Sequence, residues 1–152
     1  MTEALKLKNQ LCHRFYTVSN AFTRAYRPLL KKLDITYPQY VVMMGLWEES
    51  DITIQSLVNA TKIDPGAMTL ILKKLEAKGY VEVKKGEEDK RTRFVHLTEK
   101  GKQAEVDAAD IPQQLICKVD NLEWEEAKKM IALIDKLSDG LESAICALEE
   151  DN

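Results

Sequence analysis

The run from Asp64 to Gly101 reads DPGAMTLILKKLEAKGYVEVKKGEEDKRTRFVHLTEKG, and its punctuation sets the architecture. Asp64 is a strong helix N-cap and Pro65 suits the first helical position, because its fixed φ is already helical and its missing N–H would be unpaired there anyway. Met68, Ile71, Leu72 and Leu75 then recur at three- and four-residue steps. They form one apolar face of a helix that runs to Lys78 and stops at Gly79. Tyr80–Val83 alternates in hydrophobicity, as does Arg93–Leu97, and the polar stretch Lys84–Thr92 lies between them. That pattern predicts a two-stranded hairpin with a long charged tip. Thr98 is placed to cap another helix from Glu99.

Upstream, residues 5–32 carry Leu5, Leu11, Phe15, Val18, Phe22, Tyr26, Leu29 and Leu30 mostly three or four apart, a helical stripe. Pro28 is expected to bend or locally break that segment near its end. Thr36 caps a second helix with Pro38 in its first turn. Ile52–Ile54 reads as a brief strand, and a short helix from Ile54 to Asn59 ends at Ala60-Thr61-Lys62. Downstream, the helix from Glu99 is interrupted at Asp110-Ile111-Pro112, and a last helix spans about Leu122–Leu148. This helix repeats Met130, Ile134, Leu137, Leu141, Ile145 and Leu148 almost as a heptad seam, made imperfect by Gly140. The seam packs against another subunit or the first helix; an ordinary core helix within one chain is the alternative. The fold class is mainly α with a small β-hairpin, a winged helix-turn-helix in outline. The 152 residues are expected to make one such domain, with a DNA-binding core at about 36–100 and dimerisation helices at about 1–34 and 101–152.

Net charge is −3 over the whole chain, which looks wrong for a partner of nucleic acid until it is divided. Residues 1–52 hold 7 basic and 5 acidic side chains, residues 53–102 hold 11 and 7, and residues 103–152 hold 4 and 13. The middle is therefore basic and the tail acidic, as a localised polyanion-binding face requires. The second helix of the helix-turn-helix can present Gly66, Ala67, Thr69 and Leu70, followed by Lys73 and Lys74. The hairpin carries Lys84, Lys85, Lys90, Arg91 and Arg93 among Glu87, Glu88 and Asp89. A helix fits the major groove and a wing places a guanidinium in the minor groove. Asp89 would repel phosphate if it faced DNA and is better placed to orient Arg91. A solvated, charge-balanced hairpin is the plainer alternative.

The three cysteines, Cys12, Cys117 and Cys146, are widely spaced with no CxxC, so no disulfide framework is expected. Taken alone, each reads as a small buried apolar residue. With two histidines and no ligand cluster, neither a metal site nor a cofactor is expected. No apolar run approaches the roughly 18 residues that span a bilayer. No signal peptide is discernible either, so a cytoplasmic location without membrane attachment is expected.

Asp89–Gly101 resembles the DxRxxxVxLTxxG wing of MarR-type regulators, and Leu72–Val81 resembles their junction between recognition helix and wing. The resemblance covers essentially the whole chain. It implies a homodimer, with the N- and C-terminal helices forming its interface, on a pseudo-palindromic operator in double-stranded DNA, with Arg91 in the minor groove supported by Asp89. The DNA-binding residues it points to, with the charge reading above, are Gly66, Thr69, Lys73, Lys74, Asp89, Lys90, Arg91 and Arg93. The N-terminal half is similar to the organic-hydroperoxide-sensing, OhrR-like branch through Gln10-Leu11-Cys12, Tyr16, Tyr26–Leu30, Leu33–Tyr40 and Leu46-Trp47-Glu48.

That likeness implies that Cys12 is the peroxide-reactive thiol and that Tyr26 and Tyr37 hydrogen-bond it across the dimer. By the same resemblance to the two-cysteine subgroup, Cys117 is the resolving thiol of an intersubunit disulfide, and oxidation releases the operator. Cys146 matches no family position and is taken as structural. The sequence departs from the branch at His13 and Arg14, where an apolar aromatic residue commonly follows the reactive cysteine.

The chemistry is coherent, since a thiolate attacks peroxide and phenol hydroxyls stabilise it without adding charge, while Leu11, Phe15 and Phe22 favour an apolar hydroperoxide. The expected function is a repressor, not an enzyme. A regulator gated by a non-covalent small aromatic ligand or by a different oxidant is the first alternative, and loss of oxidant response on Cys12→Ser separates the two. A thiol peroxidase has no thioredoxin-like pattern behind it, and a purely structural helical dimer would show no salt-dependent duplex binding.

Overall fold

The computed structural model describes residues 2–87, 89–120 and 122–150. The chain divides into two compact units, Met1–Leu115 and Ile116–Asn152. In the first, helix α1 spans Leu11–Leu30, α2 Tyr37–Glu48, strand β1 Ile52–Thr53, α3 Ile54–Thr61, α4 Pro65–Ala77, β2 Val81–Lys85, β3 Arg93–Leu97 and α5 Glu99–Ala108. Helix α6, Ile111–Ile116, ends that unit, and α7, Trp124–Glu150, fills most of the second. The sheet order is β1-β3-β2, antiparallel throughout, with Ile52 opposite Val95 and Val83 opposite Val95 on its other edge. The small sheet and helix-dominated body are the winged helix-turn-helix read from the sequence.

The boundaries follow from local chemistry. Thr36 caps α2 in a capping box, with its own N–H donating to the Gln39 carboxamide at 2.9 Å. Thr53 accepts from the Ser56 N–H to start α3, and Asp64 accepts from the Ala67 N–H at 2.9 Å to start α4. At the other end of α4, Tyr80 N–H donates to Leu75 C=O and Gly79 N–H to Glu76 C=O, the paired bonds of a Schellman stop. That stop needs a left-handed residue, and Gly79 supplies it at φ 76°.

Three sequence expectations shift. The first helical segment does not run unbroken over 5–32: short 3-10 turns at Glu3–Leu5 and Leu7–Asn9 precede α1, separated by extended backbone at Lys6 and Gln10. Their side chains fold back locally, with Asn9 Nδ2 donating to Glu3 C=O at 2.9 Å and Gln10 to Ala4 C=O. Helix α1 continues past Pro28 to Leu30, gives way to a 3-10 turn at Lys31–Leu33, and ends where Asp34 turns left-handed at φ 48°. Strand β2 begins and ends later than Tyr80–Val83, because Lys84 and Lys85 pair with Phe94 and Arg93 while Tyr80 turns into the core.

The core gathers Leu30 and Leu33, Tyr40, Val42, Met43 and Leu46 of α2, Leu57 of α3, Met68, Leu72 and Leu75 of α4, Val81, Val95 and Ile111. Two polar ties close it: Tyr80 Oη donates to Leu33 C=O at 2.6 Å, and Trp47 Nε1 donates to Gly101 C=O at 3.0 Å. The first turns of α1 take no part. Leu11 is 61% exposed, and Phe15, Val18 and Phe22 are exposed as well. In the second unit no described residue of α7 is buried, and Met130, Ile134, Leu141, Ile145 and Leu148 of its seam are exposed.

Candidate nucleic-acid interface and cysteine site

Helix α4 presents two unlike faces. Met68, Leu72 and Leu75 are buried, while Gly66, Thr69, Leu70, Lys73 and Lys74 are exposed along the opposite stripe. The helix-turn-helix is held rigid because its apolar face belongs to the common core. The wing is tied to the same helix: Val83 N–H, on the outer edge of the sheet, donates to the Glu76 carboxylate at 3.1 Å. Sequence reading did not single out Glu76, whose partner lies seven residues away on a different element.

At the wing tip, Asp89 organises its neighbours. One carboxylate oxygen accepts from Arg91 N–H at 2.9 Å and from Arg91 Nε at 3.4 Å, and the other lies 3.5 Å from the Thr92 hydroxyl. Thr92 N–H donates to Asp89 C=O and Gly86 N–H to Thr92 C=O, closing the loop. A Cβ on Gly86 would stand 2.8 Å from Asp89 C=O, so the turn admits only glycine without rearrangement. The Arg91 side chain is 94% exposed and reaches outward from this anchored base. Lys90 and Arg93 are exposed beside it, whereas Lys84 is bound to Glu82 at 2.9 Å. At the foot of the wing, His96 Nδ1 meets the carboxylate of Asp51, itself left-handed at φ 62°. Glu88 lies outside the described residues.

The Thr98-to-Gly101 step explains why the hairpin passes so abruptly into α5. Thr98 accepts from Gly101 N–H at 3.1 Å and donates to Gly79 C=O at 2.6 Å, joining the helix start to the end of α4. A Cβ on Gly101 would come within 2.2 Å of Tyr80 C=O.

Cys12 is exposed in the first turn of α1, its Sγ 4.0 Å from the Gln10 carboxamide oxygen. Tyr26 lies near the other end of that helix and stacks on Tyr37 of α2, ring centroids 4.8 Å apart. Tyr40 joins them at 5.7 Å from Tyr26 and reaches Trp47 at 6.0 Å. Burial, then the neighbouring Tyr37, raises the Tyr26 phenol above its ordinary pKa, and burial does the same for Tyr40, so both stay protonated hydrogen-bond donors at neutral pH. The structure thus brings Tyr26 and Tyr37 together and leaves Cys12 apart: fourteen residues of continuous helix set Cys12 and Tyr26 about 21 Å apart along the axis. Tyr40, the third member, could have been found from its spacing to Tyr37 on one helical face.

His13 points elsewhere on α1, its Nδ1 shielded and without a hydrogen-bond partner among the described residues. Cys117 is exposed just after α6, in the second unit, and Cys146 is exposed on α7. None of the three is the small buried residue that cysteine usually is. Among the described residues no group of three or more metal-ligating side chains forms, and no helix is long and apolar enough to cross a membrane.

Comparison with known proteins agrees with this geometry. A family model described as transcriptional regulator SarA/Rot matches residues 24–107, more than half of the chain. The organic hydroperoxide resistance transcriptional regulator of Bacillus subtilis is 40% identical over 112 residues, 74% of this chain and 76% of the relative. The structure of reduced AbfR bound to DNA, a protein known from Staphylococcus epidermidis, superimposes with a TM-score of 0.81 at 31% identity, over 95% of this chain and 98% of that one. Overoxidised AbfR bound to DNA superimposes with a TM-score of 0.74 at 33% identity, over 91% and 97%. With its capped helix-turn-helix, its wing anchored to α4 and these relatives, the chain belongs to the MarR and SarA/Rot family of winged helix-turn-helix proteins, in which it is OhrR-like, and it is a DNA-binding transcriptional regulator.

Proposed function

We propose that the protein is a homodimeric repressor that leaves its operator when an organic hydroperoxide oxidises Cys12. The observation that carries this reading is the placement of Cys12 in the first turn of the 20-residue helix α1 and of Tyr26, packed on Tyr37 of α2, near its other end. Two phenol hydroxyls suited to stabilise a thiolate cannot reach the cysteine of their own chain, but a second copy lying antiparallel along α1 brings each pair to the other's cysteine. The apolar stripe Leu11, Phe15, Val18 and Phe22, exposed in the single chain, gives that copy a surface to cover, and the α7 seam gives another.

Cys12 also sits at the helix end whose dipole favours an anion. The thiolate attacks one peroxide oxygen and the O–O bond breaks. The alcohol departs after taking a proton, and a sulfenic acid remains. The Cys117 thiol then attacks that sulfur, water leaves, and an intersubunit disulfide forms; one hydroperoxide is reduced by two electrons from the two thiols. The relatives support this reading: one is named for organic hydroperoxide resistance, and AbfR has been solved both reduced and overoxidised on DNA. Overoxidised AbfR is bound to DNA, which favours the disulfide as the step that moves this protein off its operator.

On DNA, α4 lies in the major groove with Gly66 and Thr69 at its entering end and Lys73 and Lys74 on phosphates. Arg91, held by Asp89, enters the minor groove, with Lys90 and Arg93 on the adjoining backbone. The deciding experiment is non-reducing electrophoresis with duplex-binding measurements, before and after stoichiometric cumene hydroperoxide, on the parent protein and on Cys12→Ser and Cys117→Ser. A crosslinked dimer that has lost its duplex, absent from both variants, is expected. Release that persists in Cys12→Ser would overturn the redox reading in favour of a non-covalent ligand.

A further inference from the structure

The exposed face of α4 lacks the residues that usually read bases. Its sequence, PGAMTLILKKLEA, contains no Arg, Asn or Gln, so the only side chains on it able to contact guanine or adenine bidentately are Lys73 and Lys74. Those two cations sit in the third turn, away from the entering end, and are assigned above to phosphate, which carries no sequence information. The Asp64 carboxylate is committed to the Ala67 N–H. The Thr69 hydroxyl donates to Pro65 C=O at 2.9 Å, which commits its proton to the helix and leaves the methyl as its apolar group.

Against this background Leu70 is anomalous. It is 63% exposed, while Met68, Leu72 and Leu75 of the same helix are buried and Ile71 is half-buried. A helical side chain leans toward the N-terminus, over the residue four positions earlier. That residue is Gly66, which offers no side chain to cover it. The isobutyl group therefore projects bare at the end of α4 that enters the groove. The base feature complementary to an apolar group in the major groove is the C5-methyl of thymine.

We propose that α4 recognises its operator through thymine methyl groups, contacted by Leu70 and flanked by the Thr69 methyl. The inference rests on α4 being the helix in the major groove. Base identity in this half of the contact is read by apolar burial, with the lysines and the wing supplying affinity. Leu70 becomes the specificity-determining residue, and Gly66 serves it by leaving room for the base edge.

The test starts by selecting duplexes from a random pool with the full-length reduced protein. Each thymine of the selected sequence is then replaced by deoxyuracil, which removes the methyl and leaves every hydrogen-bonding atom in place. For the parent protein, one thymine per half-site is expected to cost about fourfold in Kd when replaced, the worth of one buried methyl. Leu70→Ala is expected to bind thymine and uracil duplexes equally, with an unchanged melting temperature because the side chain is solvated. Leu70→Met keeps the preference, and Thr69→Ser weakens it in part. Parent protein indifferent to uracil throughout, or Leu70→Ala retaining the full preference, would overturn the inference while leaving DNA binding intact. Failure to select any duplex would overturn the DNA-binding placement of α4 along with it.

Discussion

Gly101 shows how one absent methyl group fixes the joint between wing and body. Its Cα lies so close to Tyr80 C=O that any side chain at this position would overlap the carbonyl, and its own carbonyl receives the Trp47 indole. Relief would require moving α5 off the start of β2, and with it the Thr98 bonds that join α4 to α5. Gly101→Ala should therefore destabilise the fold by about 3 kcal/mol, at the upper end of overpacking penalties, read as a lower denaturant midpoint with unchanged slope. The sequence marks this glycine only as part of a pattern after a threonine cap. Gly79, by contrast, is legible in advance, because a glycine at the end of an amphipathic run is the ordinary left-handed stop.

At the scale of the element, the wing poses a question of sign. Asp89 is a negative charge at the tip of the hairpin proposed to meet DNA, a polyanion, yet it holds Arg91 by both backbone and guanidinium. If repulsion from phosphate dominates, removing the carboxylate tightens binding; if its ordering of Arg91 dominates, binding weakens. The exposed charge is screened at physiological salt within about 8 Å, while the hydrogen bonds act at contact distance. Ordering should win. Asp89→Ala is expected to weaken duplex binding roughly tenfold, within the cost typical of one specific contact, at unchanged thermal stability. Asp89→Asn, which keeps an acceptor for Arg91 N–H, should fall between. Tighter binding by Asp89→Ala in a titration at fixed salt would show that Arg91 orders itself.

The whole molecule ties its stability to neutral phenols. Tyr26, Tyr40 and Tyr80 are all raised above the ordinary phenol pKa, chiefly by burial. A group whose folded pKa exceeds its unfolded value contributes stability that is fully present below the unfolded pKa and is lost as pH rises through the folded one. The window here opens near the ordinary phenol value of 10.0 and extends above it. Melting temperature should hold level across neutral pH on account of these groups and drop once pH passes that value, together with the appearance of tyrosinate absorbance. Tyr40→Phe should flatten part of the drop. A melting temperature that stays level through tyrosine ionisation would refute the claim that these rings must be neutral to pack.

The sequence alone determined what depends on near neighbours along the chain. Caps at Thr36, Asp64 and Thr98, the stop at Gly79, the hairpin from its alternation and the helices from their apolar spacing are all set within a few residues, by backbone groups that need partners close by. The resemblance carried by the wing and the N-terminal half was legible for the same reason, as a string of types at fixed intervals. The tertiary structure alone decided what depends on residues distant in sequence. It set Tyr40 against Tyr26, tied Val83 to Glu76, brought Gly101 under Tyr80 C=O, and left Leu70 bare above Gly66. It also set Cys12 in the first turn and Tyr26 near the other end of one continuous helix, well apart within the chain. Packing brings such groups together through the shared core, and no local propensity encodes which backbone atom a side chain from another element will meet.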